Sequence, residues 1–193
     1  MNAEAFFHQS AGRWRSQRVT HHLAFRQAEA GESAIEVRTL ELTDPDVLTV
    51  CSLHGVDVAQ AAGASRVTWQ GTMAWDKEGE KQTGSTVMVL VPEDAAGRQG
   101  KLLREMGYME KTPVVGEFHM DAEDALVLVT EYDSLRTEER LWFPQPGVRV
   151  RASTVGYGFG GFTMATFAVE VRDGEPQPAP GPSDSPLLSV LGW

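Results

Sequence analysis

At 193 residues, 41% hydrophobic and 23% charged, the chain suits one domain with a sizeable core, and no apolar run is long enough for a membrane-spanning helix. The formal net charge of −10 argues against nucleic acid, which needs a basic stripe. A single cysteine, Cys51, excludes an internal disulfide and fits a reducing compartment, the cytoplasm by default.

In chain order, the N-terminus Met1-Asn2-Ala3-Glu4-Ala5-Phe6-Phe7 lacks the basic and apolar segments of a secretory signal. A short amphipathic helix is expected there instead, from Ala3 to about Ser10, closed by Gly12. Trp14–Phe25 reads as the first strand and Ser33–Leu42 as the second. Thr43-Asp44-Pro45 supplies a cap and a first-turn proline for a helix over Asp46–His54, ending at Gly55. From Ser65 onward only strands and turns follow: Arg66–Trp75, the polar turn Asp76–Gln82, Ser85–Val91, Gly100–Met109, Thr112–Met120, Ala125–Tyr132, Thr137–Phe143, Val148–Gly156 and Gly161–Arg172. Ten strands at regular spacing predict a mainly β, antiparallel up-and-down barrel enclosing a ligand cavity. After Asp173 the Pro-rich run Gly174–Pro182 predicts a flexible tail, so residues 1–172 form the expected barrel domain and 173–193 the tail.

The first strand carries the densest chemistry. Period two puts Trp14, Ser16, Arg18, Thr20 and His22 on one face, an aromatic, a cation and a titratable donor together. Such a face suits a flat, anionic, conjugated ligand. The third strand aligns Val67, Trp69, Gly71, Met73 and Trp75, either a stacking slab or plain core. On Val148–Ser153, Arg149, Arg151 and Ser153 alternate with Val148, Val150 and Ala152. That row is either an inward carboxylate clamp or an outward solvated stripe, and alternation alone does not decide. The basic residues are 13 Arg and only 4 Lys, a bias toward the planar fork that grips carboxylates. Glu139 and Glu170 are acids inside apolar strands, suited to an Arg partner or to pyrrole-type N–H groups. His21 and His22 diverge as strand neighbours and have no third ligand at a suitable spacing, so no metal site is read. One of them facing inward as a proton donor is the more reasonable role. No phosphate loop, dinucleotide fingerprint or nucleophile elbow is present.

Phe6-Phe7, Ser10-Ala11-Gly12, Trp14, Ser16-Gln17-Arg18 and His21-His22-Leu23-Ala24-Phe25 closely resemble the opening of the S-type phycobiliprotein lyases. Trp69-Gln70-Gly71-Thr72 with Trp75, Glu139–Phe143, Arg149–Ser153 and Gly160-Gly161-Phe162 extend the resemblance over about residues 1–172. It implies a ten-stranded lipocalin-like barrel, close to fatty-acid-binding proteins, with short helices. It implies an enzyme that binds an open-chain bilin, phycocyanobilin or phycoerythrobilin, with no permanent cofactor. The bilin then passes to a cysteine of a phycobiliprotein α or β subunit (phycocyanin, allophycocyanin or phycoerythrin) as a thioether. The setting would be cyanobacterial cytosol or plastid stroma, and a homodimer or a heterodimer with a related lyase is compatible.

On the matched positions Arg149 and Arg151 become the propionate clamp, with Arg18 nearby. Trp69 and Trp75 stack on pyrrole rings, and Trp14 and Trp142 shape the pocket. Glu139, and more weakly Glu170, face pyrrole nitrogens, Ser153 donates to a propionate, and His21 or His22 orients the bilin or moves a proton. The rival readings are a bilin carrier without transfer, a lipid-binding barrel and a purely structural docking barrel.

Overall fold

The computed structural model of the protein describes residues 1–73, 82–105, 113–131, 134–157 and 161–174. Trp75, the turns at Asp76–Lys81 and Gly158–Gly160, the end of the expected strand Gly100–Met109 and the tail from residue 175 lie outside them.

Ten antiparallel strands close into one barrel: β1 (Gly12–His22), β2 (Gln27–Leu40), β3 (Gly63–Met73), β4 (Gln82–Pro92), β5 (Gln99–Arg104), β6 (Val114–Met120), β7 (Leu126–Glu131), β8 (Leu135–Gln145), β9 (Val148–Tyr157) and β10 (Phe162–Arg172). Each strand pairs with its neighbours in sequence, and β1 closes the ring on β10, with Trp14 opposite Arg172 and His22 opposite Met164. Closure gives every strand a partner on both sides, although among the described residues β4 pairs with β5 only over Met88–Pro92.

Two helices finish the barrel differently. In α1 (Ala3–Ser10), the Asn2 side chain accepts the Ala5 N–H at 2.9 Å and caps the first turn. Phe6 and Phe7 of this helix pack with Leu90, Leu102, Phe118, Met120 and Leu126, which closes one end of the barrel with an apolar plug. Helix α2 (Pro45–Leu53) starts on the Asp44 cap and lies on the outer wall. There Val47, Val50 and Cys51 pack against Val87, Val89, Val91 and Leu103, the outward residues of β4 and β5. Cys51 is therefore a wall residue, away from the barrel interior.

Two boundaries at the β1–β2 connection differ from the expectation. The first strand stops at His22, and Leu23–Phe25 forms a single 3-10 turn closed by Arg26 at φ 53°. Strand β2 begins at Gln27, not Ser33, because Gln27–Glu32 pair with β1 through to His22. Its Ala, Glu and Gly residues have little intrinsic β preference, and cross-strand pairing overrides it.

Among the described residues no helix is long and apolar enough to cross a membrane.

Candidate functional site

Alternation along a closed barrel sends every second side chain inward. On β1 the inward set is Trp14, Ser16, Arg18, Thr20 and His22, and the register carries this phase to Arg149, Arg151 and Ser153 on β9 and to Glu170 on β10. Arg18, Ile35, Trp69, Glu139, Arg149, Arg151 and Glu170 line a cavity of about 240 Å³, with Ser33, Val67, Thr86, Met88, Leu128 and Leu141 completing the wall. Among the described residues the apolar plug of α1 lies at the end where β1 starts, and the cavity stands on its inner side, toward the end where β1 finishes at His22.

The charged groups form a chain across the interior. Arg149 Nε donates to Glu170 Oε2 at 2.6 Å, and both side chains are almost wholly buried. Arg151 lies 3.8 Å from Glu170 Oε1 and 3.5 Å from Glu139 Oε1, and Arg104 lies 3.7 Å from Glu139 Oε2. Arg18 Nη1 donates to Ser33 Oγ at 3.2 Å. Among these residues four guanidinia face two carboxylates, an excess of two positive charges inside a protein whose net charge is −10. Burying charge carries a desolvation cost that apolar replacements would avoid. A barrel selected only to fold would have little use for this chain, whereas an anionic ligand would.

Aromatic groups frame the cations. The Trp14 ring lies between two guanidinia, Arg172 at 4.2 Å and Arg149 at 5.0 Å from its centroid. Its Nε1 donates to Ser10 O at 2.9 Å. Trp14 is thus a buried support beneath Arg149 and does not line the cavity. Trp69 does line it, and its indole lies against Gly84 on the next strand. A Cβ on Gly84 would come 2.1 Å from Trp69 Cζ2, so only glycine leaves room for this ring. Gly31 likewise clears space for Arg18, whose Nε would stand 3.1 Å from a Cβ there.

Two further expected site residues sit on the outer wall. Trp142 alternates with the inward Leu141 and so sits on the outer wall, 6.4 Å from the exposed Phe167 ring and beneath the Arg140 guanidinium. His21 is also on the outward phase of β1. His22 points inward at the end where β1 finishes, and its Nε2 is 3.3 Å from Glu29 Oε1, a carboxylate that is itself buried. Ser153 is on the inner phase of β9, in register with Glu139 and Thr166. Arg104 and Glu29 are absent from the sequence-level candidates. Arg104 follows the inward Leu102 at period two, a signal masked by the uncertain extent of that strand. Glu29 falls where β2 is not expected.

Burial, reinforced by the Asp57 charge, raises the Cys51 thiol above its ordinary pKa, which leaves little thiolate for nucleophilic attack. Among the described residues no cluster of His, Cys, Asp and Glu could hold a metal ion.

A closed ten-stranded barrel with one plugged end and a charged, aromatic cavity defines a lipocalin-like ligand-binding protein. Within that class the chain belongs to the CpeS-like protein family, whose model matches residues 2–173. It is 50% identical, over the full length of both chains, to a chromophore lyase CpcS/CpeS 2 of Trichodesmium erythraeum. It is also 50% identical to the phycocyanobilin lyase subunit CpcS of a Picosynechococcus strain, over 100% of this chain and 98% of that one. Among solved structures, the S-type phycobiliprotein lyase CPES from Guillardia theta superposes with a TM-score of 0.79 at 36% identity, covering 91% of this chain and 95% of that one.

Proposed function

We propose that this chromophore lyase holds an open-chain bilin in the barrel with its propionates on the inner guanidinia, and hands it to a cysteine of a phycobiliprotein subunit. The observation that carries the reading is the buried Arg149–Glu170–Arg151–Glu139–Arg104 chain. With Arg18, which donates to Ser33 on the same cavity wall, the excess is two positive charges, matching the two propionate carboxylates of a bilin. Arg149 engages Glu170 through Nε, and the guanidinium's other N–H groups suit a bidentate bond to a carboxylate. Trp69 offers a flat face for a pyrrole ring, and Glu139, beside Arg151, suits the pyrrole N–H groups.

The reaction is an addition. The acceptor thiol sulfur bonds to the ring A ethylidene carbon, the π bond breaks, and the thiol proton ends on the adjacent ring carbon. No leaving group and no oxidant are required. The barrel's contribution is to hold ring A toward the end away from the α1 plug in one orientation. The His22–Glu29 pair stands at that end and suits proton movement during addition. Phycocyanobilin is the preferred candidate, since one relative is named for it. The reaction suits the cytosol, where a lone cysteine stays reduced.

The test mixes the protein with phycocyanobilin, adds an apo phycobiliprotein subunit, and reads zinc-enhanced fluorescence of the acceptor on a denaturing gel. Fluorescence well above a lyase-free control is expected; acceptor labelling no greater than that control would contradict transfer. Because Cys51 lies on the outer wall with a raised pKa, Cys51→Ser is expected to transfer bilin at a rate within about twofold of the unmodified protein. A transfer-dead Cys51→Ser protein that still folds would implicate a covalent intermediate.

A further inference from the structure

Among the described residues, the end of the barrel away from the α1 plug carries exposed apolar groups. Leu23 and Phe25, 43% and 74% exposed, stand on the 3-10 turn that follows β1. Tyr157 and Phe162, 45% and 64% exposed, stand at the end of β9 and the start of β10. These two segments are neighbours, because β1 pairs with β10 up to His22–Met164 and the 3-10 turn packs on β10. Backbone bonds fix both. Arg26, in the left-handed region, returns its N–H to Leu23 O at 3.4 Å, and the Tyr157 N–H reaches Gly161 O at 3.0 Å. Scattered apolar side chains are ordinary on a protein surface, but four of them on two neighbouring segments at one end of a ligand-binding barrel suit an interaction surface.

We propose that Leu23, Phe25, Tyr157 and Phe162 form the docking surface for the acceptor phycobiliprotein subunit. The inference rests on the transfer reading above and adds the face at which the acceptor is met. Its basis is continuity with the site. Among the described residues the α1 plug fills the other end, so this rim stands on the side from which a protein-borne thiol would approach a bilin in the cavity. Bond formation brings the acceptor surface around its cysteine into contact with the rim, and the aromatic pair Phe25 and Phe162 is the type of group that dominates interface energetics.

The experiment compares the unmodified protein, Phe25→Ser/Phe162→Ser and, as a control on helix α2 of the outer wall, Leu48→Ser, which removes another exposed apolar side chain. Each is titrated with phycocyanobilin by absorbance, and transfer rates are measured against apo-subunit concentration. The double variant is expected to bind bilin within about twofold of the unmodified protein, while the acceptor concentration for half-maximal rate rises about tenfold or more. Leu48→Ser should change neither. An unchanged acceptor dependence in the double variant would overturn the proposal. So would lost bilin affinity, which would assign these groups to the cavity, or conversion of a dimer to a monomer in sedimentation, which would assign them to a second copy. Failure of the unmodified protein to bind or transfer bilin would instead remove the transfer reading itself.

Discussion

Arg149→Ala is expected to lose bilin binding and thermal stability together, and a second substitution separates the two effects. Arg149 and Glu170 are joined at 2.6 Å with both side chains almost fully buried. Removing the guanidinium strands a buried carboxylate, which costs about 3–5 kcal/mol in comparable cases. Glu170→Gln in the same chain removes that stranded charge, so Arg149→Ala/Glu170→Gln should regain most of the lost stability in thermal melts. Bilin affinity should not return with it. Loss of a charge-assisted contact to a propionate is worth about 1.5–3 kcal/mol, or roughly 10- to 100-fold in affinity. A folded double variant that binds phycocyanobilin as tightly as the unmodified protein would show that Arg149 serves the barrel and not the ligand.

The second large effect concerns Trp69 and the glycine beneath it. Trp69→Ala removes the flat wall of the cavity and should weaken bilin binding by about tenfold or more. Gly84→Ala should give a loss of similar order without touching a ligand-facing side chain. Its new Cβ would sit 2.1 Å from the Trp69 ring, and the indole must move from its place on the cavity wall. In a Trp69→Ala background the obstructed ring is gone, so Gly84→Ala should add little. The two substitutions are thus strongly non-additive, as expected for groups in direct contact. Additive losses in absorbance titrations would mean that Gly84 acts by some route other than the indole.

The ten-strand barrel is legible because turn residues punctuate the chain at regular intervals, and the inward face of β1 is legible because its alternation is clean. The Arg149–Arg151 strand is harder, for a physical reason visible in the structure. Its outward residues Val148 and Val150 are also buried, so apolar character marks both faces and gives no sign to the alternation. Trp142 illustrates the converse. A large aromatic in a strand suggests a pocket, yet Leu141 and Phe143 take the inward phase and leave Trp142 covered outside by Arg140 and Phe167. Trp14 is inward as its phase requires, but closed off from the cavity by its own burial between Arg149 and Arg172. Pairing decides the rest. Glu29 becomes a partner for His22 only because β1 organises the low-propensity start of β2, and Arg104 joins Glu139 from a distant strand, a contact that no local pattern encodes.

The central claim is that inner guanidinia recognise the carboxylates of a bilin, and the most direct measurement is a paired absorbance titration with phycocyanobilin and its propionate dimethyl ester. The ester keeps the conjugated skeleton and removes both negative charges. The free acid should bind with one-to-one saturation and about tenfold or more higher affinity than the ester, with the gap narrowing in Arg149→Ala/Glu170→Gln. Equal affinities for acid and ester would contradict it and leave the buried charge chain without a ligand.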